Sequence, residues 1–307
     1  MSEYQYYEFR AIDRPLTEAD QRELRKLSTR ARITDTSFTN HYEYGDFAGD
    51  SAKLMRRWFD LHVYLANSGY HRLMIRLPRR LMPPDLADRF LRNVEEATLE
   101  TDGDNLVLDI SLSDLEHDYR DDGSRWLRRL APLRADLLSG DLRLFYLLWL
   151  MAVEFKAVDP TELEPLPGLG PMNPAHKAFV DFFQIDAGLA YAAAERPAAT
   201  TRTTFDAPPR RTAGELLVRA TTVREARTKR ETARKDRALS KQLDPLRQRG
   251  EAAWQEVESG IELRNRAGYS KAMGLLRDLE MLAELDGTSA DFSRRLESIR
   301  EIGRAHV

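Results

Sequence analysis

The chain has 307 residues, 42% of them hydrophobic and 32% charged, at a formal net charge of -3. That is length enough for about two cored domains, and too much apolar content for global disorder. It has no cysteine, which excludes disulfides, thiolate catalysis, cysteine-ligated zinc and iron-sulfur clusters.

In chain order, Met1 to Arg10 is aromatic and charged and lacks the apolar stretch of a secretory signal, so a cytoplasmic setting is expected. Glu3 to Ile12, rich in Tyr and Phe and stopped by Asp13-Arg14-Pro15, reads as a strand. Thr17 with Asp20 three residues on predicts a helix to about Arg30. Ile33 to Tyr44, loaded with Thr, Phe and Tyr, predicts a second strand. A helix capped by Asp50 or Ser51 follows. Its apolar face is Leu54, Trp58, Leu61 and Leu65, and Gly69 ends it. Tyr70 to Pro78 alternates cleanly, with Leu73, Ile75 and Leu77 on one side and Arg72, Met74 and Arg76 on the other, as a strand does. A short helix is expected over Asp85 to Arg92. Ala97 to Thr101 and Leu106 to Leu112, joined by Asp102-Gly103-Asp104-Asn105, predict a hairpin.

From Ser124 the period becomes helical. Trp126 to Leu138 and Asp141 to Lys156 predict a helical pair on the sheet. The apolar run Leu142 to Val153 carries Arg143 and is far short of the roughly 20 residues that span a bilayer, so it predicts a buried helix and no membrane insertion. Phe179 to Ile185 and Leu189 to Ala194 complete the body. Arg196 to Thr212, rich in Pro, Thr and Ala, reads as a linker. Beyond it Arg219 to Lys241 is a locally positive helix, expected to break at Asp244-Pro245. Leu239, Leu243, Leu246, Ala253, Val257 and Ile261 then keep the spacing of a coiled-coil-like seam. Two helices follow, near Ser270 to Leu285 and Ala290 to Ile302. The expected architecture is α+β: a mixed-sheet α/β sandwich over residues 1–115, a helical extension over 116–195, a linker over 196–212, and a charged all-α arm with an αα-hairpin over 213–307.

No motif with a catalytic mechanism is present. Gly168-Leu169-Gly170 runs into Pro171 and is a turn, not a phosphate loop. His41 and Glu43, with Arg72, are the only acid/base candidates, and they need a pocket. The cluster Glu116, His117, Asp118, Asp121 and Asp122 lacks the glycine and closing glutamate of a calcium loop, and no two histidines have zinc spacing, so neither metal nor cofactor is expected. Tyr4, Tyr6, Arg72 and Arg76 together would make a base-stacking face on the sheet, against the simpler role of covering a packed helix.

Trp254, Ala267-Gly268-Tyr269, Ala272, Leu276 and Leu279 resemble one helix-turn-helix unit of a tetratricopeptide repeat. A stacked array needs at least ~3 units, so an ordinary αα-hairpin is the simpler expectation. The opening YQYYEFRAIDRPLT, and a body with a charged helical tail, resemble a group of uncharacterised bacterial proteins, a resemblance that implies a bacterial cytoplasmic setting and carries over no activity. The leading expectation is therefore a non-catalytic adaptor that binds a protein partner or itself through Leu239, Leu243, Leu246, Trp254, Val257, Ile261 and Tyr269. The alternatives are phosphate contacts from Arg227, Lys229, Arg230 and Arg234 to a nucleic acid, and an enzyme with a pocket in the body.

Overall fold

The computed structural model describes residues 4–43, 47–82, 89–116, 121–197 and 209–305, with side chains to Arg300. They fall into two compact units, Met1–Arg224 and Glu225–Val307.

In the first unit a seven-stranded sheet is built from β1 (Gln5–Arg10), β2 (Arg32–Ile33), β3 (Ser37–Tyr42), β4 (Leu61–Ala66), β5 (His71–Pro78), β6 (Ala97–Asp102) and β7 (Asn105–Leu112), in the order β2-β3-β1-β4-β5-β7-β6. Every hydrogen-bonded pair is antiparallel, which corrects the mixed sheet expected from helices alternating with strands. The cause is β1. It pairs antiparallel with both β3 and β4, and so sits between two strands that run parallel to each other without touching.

Helix α1 (Glu18–Leu27) starts as expected, with a reciprocal capping box between Thr17 and Asp20. Helix α2 (Ser51–Arg57), capped by Asp50, stops at Arg57 rather than running to Gly69, and Leu61 to Ala66 is strand β4. The Ile33 to Tyr44 strand is likewise divided into β2 and β3. The helix expected over Asp85 to Arg92 lies mostly outside the described residues.

Helices cover both faces. Against one, α1 and α2 bury Leu24, Leu54 and Met55 with Phe9, Phe38, Phe59 and Met74. Against the other lie α3 (Trp126–Leu130), α4 (Pro132–Leu138), α5 (Arg143–Glu154), α6 (Pro174–Phe182) and α7 (Ala187–Ala194). Pro132 divides what reads in sequence as one helix into α3 and α4. Leu144 to Val153 of α5 are all buried, as a core helix requires, and among the described residues no helix is long and apolar enough to cross a membrane.

Two buried carboxylates tie this unit together. Asp60 accepts the amides of Ile12 (2.6 Å) and Asp13 (2.9 Å) and the Arg76 guanidinium (2.7 and 3.0 Å). Glu164 accepts the backbone amide of Arg211 (2.9 Å), its guanidinium (3.0 and 3.2 Å) and the Tyr146 hydroxyl. Arg211 and Thr212 thus belong to this unit, with Thr212 bridged to Leu163. So does the start of helix α8 (Ala213–Arg249), whose Ala213, Leu216 and Ala220 are in the main core.

The second unit comprises the rest of α8 with α9 (Glu251–Glu262), α10 (Arg266–Asp286) and α11 (Ser289–Ala305). Helix α8 continues through Pro245, correcting the expected break at Asp244-Pro245. Pro245 removes one backbone donor, but it and Lys241, whose carbonyl loses that donor, are both exposed, so water can replace the bond. The chain turns instead at Gly250, whose φ of 48° is left-handed.

Candidate interaction site

The predicted seam folds inward on its own chain. Leu243 and Leu246 of α8 and Ala253 and Val257 of α9 are buried against Ala272, Leu276, Leu279 and Ala283 of α10 and Phe292 and Ile299 of α11, with Leu239, Trp254 and Ile261 half-buried around them. The Trp254 ring meets Phe292 at 5.6 Å and carries the Arg295 guanidinium over its face at 4.7 Å. Arg247 clamps Asp286 with two hydrogen bonds (2.6 and 3.0 Å). Of the seven predicted partner residues, only Tyr269 is exposed.

Helices α9 and α10 form the predicted hairpin, and the predicted small residues make it close. A Cβ on Gly268 would lie 2.4 Å from the Gly260 carbonyl oxygen, and one on Gly260 would lie 3.2 Å from the Ala272 Cβ. A groove of ≈ 540 Å³ lies beside the hairpin, floored by Leu276, Phe292, Leu296 and Ile299. Tyr269 and Met273, 47% and 63% exposed, stand at its lip. Arg277, Glu280 and Arg300 rim it, and none of the three makes an ion pair among the described residues. The spacing singles out Tyr269 but not Met273, Phe292 or Leu296, because lip and floor come together only when α10 and α11 fold back on each other.

The basic stretch of α8 is exposed from Arg224 to Ala238. At about 100° per residue, Arg227, Arg230, Arg234, Arg237 and Lys241 fall within an arc of about 80°, roughly opposite the face carrying Leu239, Leu243 and Leu246. Lys229 lies off that stripe, and Glu231 pairs with Lys235 beside it (3.1 Å).

The body separates the residues of its two proposed sites. Tyr6 pairs across to Leu65 and His41, so it lies on the face that packs α3 to α7, whereas Arg72 and Arg76 share the opposite face with Met74. Tyr4, Tyr6, Arg72 and Arg76 therefore do not form one surface. Tyr6 is buried, with its hydroxyl donating to Glu8 at 2.9 Å, and burial followed by the Glu8 charge pushes it well above the ordinary tyrosine range. Arg72 is held by Asp109 at 2.5 and 2.8 Å. His41 and Glu43 share an open, polar hollow of ≈ 590 Å³ with Tyr4, Glu8 and Arg10, away from Arg72. His117 and Asp118 are outside the described residues. Asp121 and Asp122 serve their own loop, Asp121 accepting from Trp126 Nε1 (2.6 Å) and Asp122 from Ser124.

No family model, curated protein or solved structure matches the chain.

Proposed function

We propose that this is a non-catalytic interaction protein whose C-terminal bundle takes up an amphipathic, net acidic helix of a cytoplasmic partner protein. The groove beside the α9–α10 hairpin supports this reading: an apolar floor, an exposed Tyr269 and Met273 at the lip, and a rim of Arg277, Arg300 and Glu280 that makes no ion pair among the described residues and carries a net positive charge. An apolar helix face fits such a floor at i, i+3/i+4 and i+7, and its flanking carboxylates answer the two guanidiniums. The test is a photo-crosslinking residue at Tyr269 in the full-length chain, expressed in its native cell. Crosslinked peptides should be amphipathic and acidic, and Met273→Glu with Leu296→Glu should abolish them. Crosslinks only between copies of this chain, or crosslinking indifferent to those substitutions, would overturn the reading.

A second reading, phosphate contact by α8, is favoured by one specific feature: five of its cations, Arg227, Arg230, Arg234, Arg237 and Lys241, share one exposed stripe. Binding to duplex DNA should then weaken with salt, with a log-log slope of about -4.5 for five phosphates neutralised. Arg230→Glu with Arg234→Glu should remove it and Lys229→Glu should barely change it. Equal effects from all three positions would speak for unspecific charge alone.

A further inference from the structure

Asp136 near the end of α4, Asp141 in the turn before α5 and His176 in the first turn of α6 converge in the first unit. One ligand-type atom from each lies within 4.8 Å of the others. Acidic residues often cluster without purpose, but the histidine is the exception here. Its residue is 0% exposed, and among the described residues neither ring nitrogen has a hydrogen-bond partner. A buried, unpaired polar group carries a cost that native structures ordinarily avoid. Asp136 Oδ2 is 3.7 Å from His176 Nε2, too far for a hydrogen bond.

That separation suits two atoms bound to one ion. Ligands about 2.1 Å from a cation stand about 3.4 Å apart in a tetrahedron, and about 4.2 Å apart when trans in an octahedron. Both carboxylates are already oriented from behind, as metal ligands usually are. Asn173 Nδ2 donates to Asp136 at 2.9 Å, and Arg143 grips Asp141 through Nε (2.9 and 3.0 Å) and Nη2 (2.6 Å). The Arg143 Nη1 is itself held by the Pro171 carbonyl (2.9 Å). Asp136 Oδ2 keeps a lone pair for an ion, whereas Asp141 Oδ1 also accepts the Arg143 backbone amide (3.0 Å), so Asp141 frees a lone pair only when the Arg143 Nε, which bridges its two oxygens, settles on one of them. Two carboxylates and one guanidinium leave the cluster one unit negative beside a neutral imidazole. The Asp136 and Asp141 side chains are 27% and 21% exposed, so the cluster is reachable from solvent.

We propose that Asp136, Asp141 and His176 bind one first-row divalent cation of the zinc class. One nitrogen and two oxygen donors suit that class better than calcium, which takes oxygen alone. Three protein ligands leave at least one coordination position to water or a substrate.

The test uses tag-free full-length protein, stripped with chelator and titrated with Zn²⁺ by calorimetry. Co²⁺ absorption reports ligand geometry. One ion per chain is expected, with affinity falling at least about tenfold in Asp141→Asn and in His176→Gln. His41→Gln, which changes an exposed histidine, should leave it unaltered. Asp136→Asn keeps the test sound if His176→Gln fails to fold, because its carboxamide preserves shape and the Asn173 contact. No stoichiometric binding, or binding equal in wild type, Asp141→Asn and Asp136→Asn at unchanged circular dichroism, would overturn the proposal.

Discussion

His62 shows what burial does to one titratable side chain. It lies in β4, stacks on Phe9 with ring centroids 3.8 Å apart, and has Nδ1 3.0 Å from the Glu8 carbonyl, to which the neutral ring donates. Burial is the main cause, with the Arg72 charge adding to it, of a pKa lowered from 6.5 to about 3. The folded state therefore stays neutral where the unfolded chain takes up a proton. This contribution is full above pH 6.5, is lost progressively as pH falls from 6.5 toward 3, and is flat below that, at about 1.4 kcal/mol per pH unit inside the window. His176, also lowered chiefly by burial, adds in the same direction. His62→Gln is expected to flatten part of the slope, as measured by urea unfolding between pH 4 and 7.5.

Asp60 behaves oppositely. Burial alone would raise its carboxyl, but the Asp13 and Ile12 amides and the Arg76 guanidinium hold it below the usual range. Asp60→Ala removes both Arg76–carboxylate bonds and leaves the Ile12 and Asp13 amides without their acceptor, while Arg134 keeps Asp13, and should cost about 3–5 kcal/mol. The readout is unfolding fluorescence in a Trp254→Phe background, where Trp58, Trp126 and Trp149, all in the first unit, are the remaining tryptophans.

At the scale of elements, the α9–α10 hairpin depends on backbone contact. Gly268→Ala forces its Cβ against the Gly260 carbonyl oxygen and should destabilise the bundle by about 1–3 kcal/mol. Gly274, in the same helix, has nothing within 4 Å of its Cβ position. Gly274→Ala should stabilise by about 0.5–1 kcal/mol. Trp254 fluorescence reports both. Gly268 was legible in sequence because a small residue at a helix turn has a local cause. Strand β4 was not. Leu61 and Leu65 are four apart, which satisfies the helical period of Leu54 and Trp58 and also the strand period through Val63. A central strand buried on both faces erases the alternation that made β5 readable. The Asp136, Asp141 and His176 cluster was invisible for a related reason. Its members come from three separate places in the chain, so no local spacing announces it.

At the scale of the whole molecule, the contrast between an apolar body and a charged helical arm was readable from composition, but the inner side of the arm was not. Leu243, Leu246 and Val257 have the spacing of a seam that would seek a partner, and sequence spacing cannot distinguish another chain from the next helix of the same one. The body's limit is a second case. Low apolar content from Arg196 to Thr212 suggests that the core stops there, yet Ala213, Leu216 and Ala220 are buried in it and Arg211 pairs with Glu164. A chain ending at Thr212 would expose apolar surface of the main core and lose one fully buried Leu, worth about 1.5–3 kcal/mol, plus two Ala contacts. A chain ending at Arg224 keeps all of them. For a unit of this size, about 3 kcal/mol corresponds to a fall of roughly 6–12 °C in melting temperature. Residues 1–224 should therefore melt, by the fluorescence of Trp58, Trp126 and Trp149, where the full chain's first unit does, and residues 1–212 should melt well below it. Equal melting of the two truncations would place the functional end of the body before α8 and make the burial of Leu216 incidental to its stability.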